Sequence, residues 1–344
     1  MRVAQIMAGA AHGGAELFFE RLVIALAQAG VEQEAVIRLA PARAAKLRAA
    51  GIATQEAPFG GRLDFSTRQI IQRRIAAFQP DIALCWMSRA AQKFPLRRKG
   101  DAPVLCARLG GYYSLKYYRH CDHLIGNTRD ICSYIQSQGW PKSRVHYLPN
   151  FADTRPAPPV PRELLHTAAD APLLLAMGRL HKNKGFDVLL AALVNVPRAC
   201  LWLAGEGPEE AALRAQAVRL GLEQRVRFLG WREDAPALLA AADILVCPSR
   251  IEPLGNVVIE AWAHGVPVVA SRAKGPAALI GHNVSGLLAD IEDADALAAE
   301  ILKAIRQPEL AADLASAGQA AYLQHFTREA VVQRYQAFFM EVAG

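Results

Sequence analysis

Short apolar runs alternate with stretches of helical period from the first residues onward. Val3–Met7 reads as a strand. Ala15–Ala29 follows as a helix with Leu17, Phe18, Leu22, Ala25 and Leu26 on one face. Glu34–Arg38, Ile82–Trp86, Val104–Arg108 and His123–Gly126 repeat the strand pattern, each beside helix-like sequence. Repeated strand-then-helix units predict a parallel sheet with helices on both faces.

The alternation stops at Pro149–Pro161, where five prolines exclude both a helix and a central strand, and it restarts beyond them. This stretch is the expected linker. Strands are expected at Leu173–Met177, Leu201–Ala204, Arg225–Leu229, Ile244–Cys247 and Val266–Ala270. Helices fit Gly185–Val194, Glu209–Leu220, Ala235–Ala241, Pro253–His264 and Ala294–Ile305, with a last one over Arg328–Val342. The 344 residues suit two domains of this kind, and the 52% hydrophobic content supports a sizeable core.

No apolar run reaches the ~18 residues that span a bilayer. The chain opens directly on Arg2–Met7, without the parts of a secretory signal peptide, so a cytoplasmic location is expected. The six cysteines form no CxxC pair, and four of them lie in or beside apolar runs, which suits buried thiols in a reducing compartment. Charge is uneven: residues 1–158 hold 22 Lys and Arg against 11 Asp and Glu, and the rest hold 17 against 21. Such asymmetry points to an acidic partner for the first half.

Three stretches carry candidate chemistry. In Gly9-Ala10-Ala11-His12-Gly13-Gly14-Ala15-Glu16, glycines between a strand and a helix let a ligand approach the backbone and the helix N-terminus. The spacing is not GxGxxG, and Arg38 stands where a dinucleotide site needs an acid, so a dehydrogenase is disfavoured. Taken alone, the loop is equally a tight turn. Gly178–Gly185 places Arg179 and Lys184 at the mouth of the second sheet, where fixed cations stabilise a leaving diphosphate. In Glu252–Glu260, Pro253 fits a first helical turn, leaving Glu252 in the loop ahead and Glu260 two turns along. The N–H groups of Leu254, Gly255 and Asn256 then face a phosphate, and the carboxylates accept from sugar hydroxyls.

Here the sequence resembles a family. Glu252–Glu260, extended through Ala270, is similar to the EX7E signature of family 4 of the retaining glycosyltransferases, of GT-B fold. The resemblance extends to Gly13-Gly14, Gly178–Gly185, Leu203–Pro208, Val226–Gly230 and Asp243–Ser249, in the family's order across nearly the whole chain. It implies an α/β protein with two Rossmann-like domains facing a central cleft: an acceptor domain at 1–155, a nucleotide-sugar domain at 160–325 and a C-terminal helix, 326–344, crossing back to the first domain.

By that resemblance Arg179 and Lys184 grip the donor diphosphate, Glu252 binds donor-sugar hydroxyls and Glu260 holds the ribose. The segment Phe228, Leu229, Gly230 and Trp231 faces the nucleobase. Gly13, Gly14, Gly178, Gly205, Leu254, Gly255, Asn256 and Val257 complete the donor site, with no metal and a UDP- or GDP-sugar as donor. His12, Glu16, Arg108, Tyr112 and Tyr113 are the acceptor-side candidates. Many relatives carry a histidine near residues 107–113, where this chain has Ala107–Tyr113 and none. Arg108–Arg129 looks like the transferases that build the lipopolysaccharide core.

The activity implied is transfer, with retention, of a hexose or N-acetylhexosamine to a glycolipid or oligosaccharide acceptor. A nucleotide-sugar epimerase of the same fold and a non-catalytic sugar-nucleotide-binding protein are the rivals. No aromatic-basic interleaving suggests nucleic acid. Arg68, Arg73 and Arg74 lie beside Ile70, Ile71, Ile75 and Phe78, and Lys93, Arg97, Arg98 and Lys99 beside Phe94 and Leu96. This is a candidate basic amphipathic surface over residues 62–100 for an anionic membrane, on the inner face of the inner membrane. The same apolar positions also fit a core-facing helix.

Overall fold

The computed structural model describes residues 1–10, 13–61, 63–96, 102–152 and 157–344. The chain divides into two compact units: Met1–Phe151 with Arg328–Gly344 (unit 1), and Ala152–Thr327 (unit 2).

Unit 1 holds strands β1 (Arg2–Met7), β2 (Glu32–Arg38), β3 (Ala53–Ala57), β4 (Ile82–Trp86), β5 (Val104–Leu109), β6 (His123–Gly126) and β7 (Val145–Tyr147). Its helices are α1 (Gly14–Gln28), α2 (Pro41–Ala49), α3 (Ser66–Phe78), α4 (Met87–Lys93) and α5 (Arg129–Ser137). The strands pair in parallel in the order β3-β2-β1-β4-β5-β6-β7.

Unit 2 repeats the plan. Its strands are β8 (Leu173–Met177), β9 (Cys200–Ala204), β10 (Val226–Gly230), β11 (Ile244–Cys247), β12 (Val268–Ser271) and β13 (Leu287–Ala289), parallel in the order β10-β9-β8-β11-β12-β13. Around them lie α6 (Phe186–Val194), α7 (Glu210–Arg219), α8 (Ala235–Ala241), α9 (Asn256–Ala263), α10 (Lys274–Leu279), α11 (Ala294–Arg306) and α12 (Pro308–His325). The last helix, α13 (Arg328–Ala343), belongs to unit 1 and lays Val331, Tyr335 and Phe339 into the core beneath α1.

Each sheet is covered on both faces, so central strands such as β4 and β9 are buried along their whole length. β3 is the exception. At the sheet edge its Ala-Thr-Gln-Glu-Ala is half exposed and lacks the apolar run that marks the others. All six cysteines are buried and free. Among the described residues no helix is long and apolar enough to cross a membrane.

The amphipathic reading of residues 62–100 needs correction. Ile71 of α3 is fully buried, Ile70 and Ile75 pack on the same core, and Phe94 is buried too, so the apolar face of α3 looks inward. Arg74 pairs with Glu34, and Lys93 donates to the carbonyls of Gly61 and Asp64 at 2.7 Å. Arg68 and Arg73 remain exposed. Arg62, Arg97, Arg98 and Lys99 lie outside the described residues. The large apolar side chains that do reach solvent here are Leu63, Phe65 and Leu96, 87%, 66% and 67% exposed.

Candidate active site

In both units the candidate residues gather at the carboxyl ends of the strands, the usual ligand edge of an open parallel sheet. In unit 2 the loop after β8 turns at Gly185, whose φ of +64° is left-handed. A side chain there would also drive a Cβ to 2.1 Å from the Pro248 carbonyl oxygen, so only glycine fits beneath the loop after β11. That closeness lets the backbone N–H groups of Arg250 and Ile251 donate to the Asn183 carbonyl at 2.8 and 3.1 Å. Arg250 adds a second clamp, with Asp187 at 2.7 and 2.6 Å, Glu292 beyond it, and the Lys182 carbonyl at 2.8 Å. These hydrogen bonds hold the Asp187 carboxyl below its ordinary pKa.

The two clamped loops bring Lys184 and Glu252 together. The Lys184 ammonium is ion-paired with one Glu252 oxygen, and the other accepts from Gly255 N–H at 3.2 Å. Burial alone would lower the Lys184 pKa, but the Glu252 carboxylate, helped by Glu260, raises it, so the ammonium stays charged. The lysine stem crosses Gly178, where a Cβ would sit 3.4 Å from Lys184 Cε. Beneath them burial pushes the Cys247 thiol up to about 11, with Glu252 adding to the effect, so it stays neutral. Arg179, next in sequence to Gly178, is exposed.

The helix after Glu252 starts later than its proline suggests. Gly255, at φ +84°, precedes α9, which begins at Asn256. The Gly255 N–H donates to Glu252, and the Leu254 side chain is buried in the core. Asn256, Val257 and Glu260 stand half-buried along the first two turns. At β10, the Phe228 ring is covered by the Arg214 guanidinium at 4.4 Å, and Leu229 packs on the core. Gly230 accepts from Gly205 N–H at 2.7 Å. Trp231 is left 64% exposed, with its backbone N–H donating to Glu206 at 3.2 Å.

Unit 1 treats its candidates differently. Gly13 and Gly14 are exposed, but a Cβ on Gly13 would come within 2.3 Å of a Glu16 carboxylate oxygen. Glu16 is buried and accepts from Ala10 N–H at 2.7 Å. The bareness of Gly13 thus makes room for Glu16 as well as for any ligand. His12 lies outside the described residues. Arg108 is buried, while Tyr112 and Tyr113 are exposed: Tyr112 donates to Asp130, and the Tyr113 carbonyl accepts from Tyr134 at 3.0 Å. Arg250 and Asp187 escaped the sequence reading because the pair is 63 positions apart, with no local spacing to mark it.

Two parallel sheets, each flanked by helices and each carrying its candidate residues at the carboxyl ends of the strands, match the two-domain α/β architecture expected of a GT-B fold. Family descriptions bear on each half: glycosyl transferases group 1 matches residues 171–307, and Glycosyltransferase Family 4 matches residues 12–156. The chain belongs to the family 4 glycosyltransferases. It is 38% identical over 327 residues to the lipopolysaccharide core biosynthesis glycosyltransferase LpsE of Rhizobium meliloti, covering 94% of each chain. It is 37% identical over 343 residues to LpsD of the same organism, covering 98% of each. The solved structure of Anabaena HepE in complex with UDP and glucose matches with a TM-score of 0.83 at 25% identity, over 98% of this chain and 99% of that one.

Proposed function

We propose that this chain transfers a hexose or N-acetylhexosamine from a UDP- or GDP-sugar to a lipopolysaccharide-core type glycan, with retention at the anomeric carbon and without a metal. The Lys184–Glu252 pair carries the reading: a charged ammonium held beside a carboxylate at the mouth of a parallel sheet. The UDP and glucose bound by HepE, and the core-biosynthesis role in the names of LpsE and LpsD, support it.

Unit 2 takes the donor. Lys184 and Arg179 bind the diphosphate, Glu252 the sugar hydroxyls and Glu260 the ribose, with Trp231 beside the base. As the anomeric carbon–oxygen bond breaks, its electron pair passes to the diphosphate, whose growing charge the two cations neutralise. The acceptor hydroxyl attacks from the same face and gives its proton to the departing diphosphate oxygen, so no separate protein base is needed. Unit 1 takes the acceptor. Incubation with a panel of UDP- and GDP-sugars, reading release of nucleotide diphosphate, tests this. Slow release from one donor, accelerated by a core oligosaccharide and unaffected by chelator, is expected. No release from any donor contradicts it.

The acceptor class implies work at a membrane surface. Leu63, Phe65 and Leu96 supply exposed apolar contacts beside a chain segment rich in Arg and Lys. Near an anionic leaflet each basic residue contributes about 1 kcal/mol within a Debye length of roughly 8 Å. Flotation with anionic but not neutral vesicles, weakened by salt and by Leu63→Ser with Phe65→Ser, is the expected result. Equal recovery with both vesicle types rules this surface out.

A further inference from the structure

The loop after β1 is set by side chains of two helices. Glu16 and Glu20 stand one turn apart on α1. Arg43 lies in the first turn of α2, with Lys46 one turn further on. Ala10 is gripped at both its backbone groups: its N–H donates to Glu16 Oε1 at 2.7 Å, and its carbonyl accepts from Arg43 Nη2 at 3.0 Å. Glu20 aims that arginine. Its Oε1 accepts from Arg43 Nε at 3.0 Å, and its Oε2 accepts from Lys46 at 2.9 Å. Gly9 is bare for the same reason, since a Cβ there would come within 2.7 Å of Glu16 Cγ and Oε1.

Stability alone does not account for Arg43. The residue is 3% exposed and sits two positions past Pro41, at the start of a helix, where the dipole favours an anion over a cation. An ion pair taken out of water stabilises a fold no better than apolar side chains of similar volume would. What Arg43 adds, and an apolar side chain cannot, is a fixed donor to the Ala10 carbonyl, just ahead of Gly13 and Gly14.

We infer that Glu20 and Arg43 are positioning residues for glycosyl transfer, acting through Ala10 on the loop that leads to Gly13 and Gly14. The inference rests on the glycosyl-transfer reading and deepens it by giving α2, where the sequence carries no motif, a part in the reaction. On that reading unit 2 holds the nucleotide, so loosening this loop should spare nucleotide affinity and act on turnover. Small misplacements near reacting groups are costly, about 10²-fold for 1 Å.

Three variants of the full chain test it. Glu20→Ala leaves Arg43 unaimed, at a side chain 14% exposed. Arg43→Lys keeps the charge but offers one nitrogen where the guanidinium uses two. Glu20→Gln keeps an oxygen for Arg43 Nε. Turnover on the best donor of a nucleotide-sugar panel, UDP and GDP affinity by calorimetry, and the thermal midpoint are read together. Glu20→Ala and Arg43→Lys should each lower kcat about tenfold, the scale of one hydrogen bond, with nucleotide affinity and midpoint kept. Glu20→Gln should stay close to wild type. Wild-type kcat in Glu20→Ala or in Arg43→Lys overturns the inference. So does a loss that Glu20→Gln shares in full, that comes with weaker nucleotide binding, or that tracks a lower midpoint. Each of these outcomes leaves the transfer reading standing. If wild type releases no nucleotide diphosphate from any donor, the transfer reading itself falls, and the inference falls with it.

Discussion

Both units open their sheets with the same device, a strand, a glycine-bearing loop and a helix, and the two loops are finished in opposite ways. After β8 the loop is tied to a second loop by backbone bonds from Arg250 and Ile251 and by the Arg250–Asp187 fork, and it presents Lys184 already paired with Glu252. After β1, Ala10 N–H donates to Glu16 of the following helix, whose buried carboxylate occupies the space beside Gly13. Glycines between a strand and a helix therefore do not by themselves announce a ligand. What distinguishes the loop of unit 2 is a cation held in place before any anion arrives.

That contrast breaks most readily at Lys184. Lys184→Ala should lower turnover about 10²–10³-fold, the scale for losing one charge-stabilising group, and Arg179→Ala should fall in the same range. Glu16→Gln keeps an acceptor for Ala10 N–H and should cost less than about tenfold, the scale of one hydrogen bond. Steady-state rates on the best donor of the panel check all three, and a greater loss from Glu16→Gln than from Lys184→Ala reverses the comparison.

Within unit 2 the two glutamates should separate by kinetic parameter. Glu252→Ala unpairs Lys184 and, on the proposed assignment, removes a contact to the sugar that gains positive charge, so kcat should fall most. If Glu260 holds the ribose as proposed, Glu260→Ala removes a contact present in ground and transition states alike, so the donor KM should rise with kcat nearly kept. The opposite pattern would exchange their roles.

The smallest effect expected is on acid stability, and it too divides the units. In unit 1, His123 lies 3.0 Å from His146 under Phe338, and burial, with His146 and Arg144 adding to it, lowers its pKa from 6.5 to about 4. The unfolded chain takes up that proton first, so stability is full above pH 6.5 and falls as pH drops towards 4. In unit 2, Asp187 is held ionised by Arg250 and loses its contribution only below the ordinary carboxylate range. Hydrogen exchange between pH 7 and 5 should show β6, β7 and α13 opening before α6 and β11. Uniform loosening would contradict it.

The central strands were legible because a sheet covered on both faces demands continuous apolar runs, as in Ile82–Trp86 and Leu173–Met177. β3 was not, because its edge position leaves polar residues half exposed. The α3 pattern was legible as a helix but not as to what its apolar face meets, since core and membrane ask for the same period. Lys184 and Glu252 stand 68 positions apart, so only the family resemblance put them in one site. The late start of α9 follows from the left-handed Gly255 and from Glu252 reaching its N–H, contacts that a proline-based reading of the helix start does not contain.

Calorimetric titration of UDP and of GDP into the chain without acceptor tests the central claim, that unit 2 grips a nucleotide diphosphate through a preformed cation. One of the two should bind to wild type, at least about tenfold more weakly to Lys184→Ala, on the scale of one charge-assisted bond, and unchanged to Glu16→Gln. Binding of neither nucleotide, or binding indifferent to Lys184→Ala, would contradict the account.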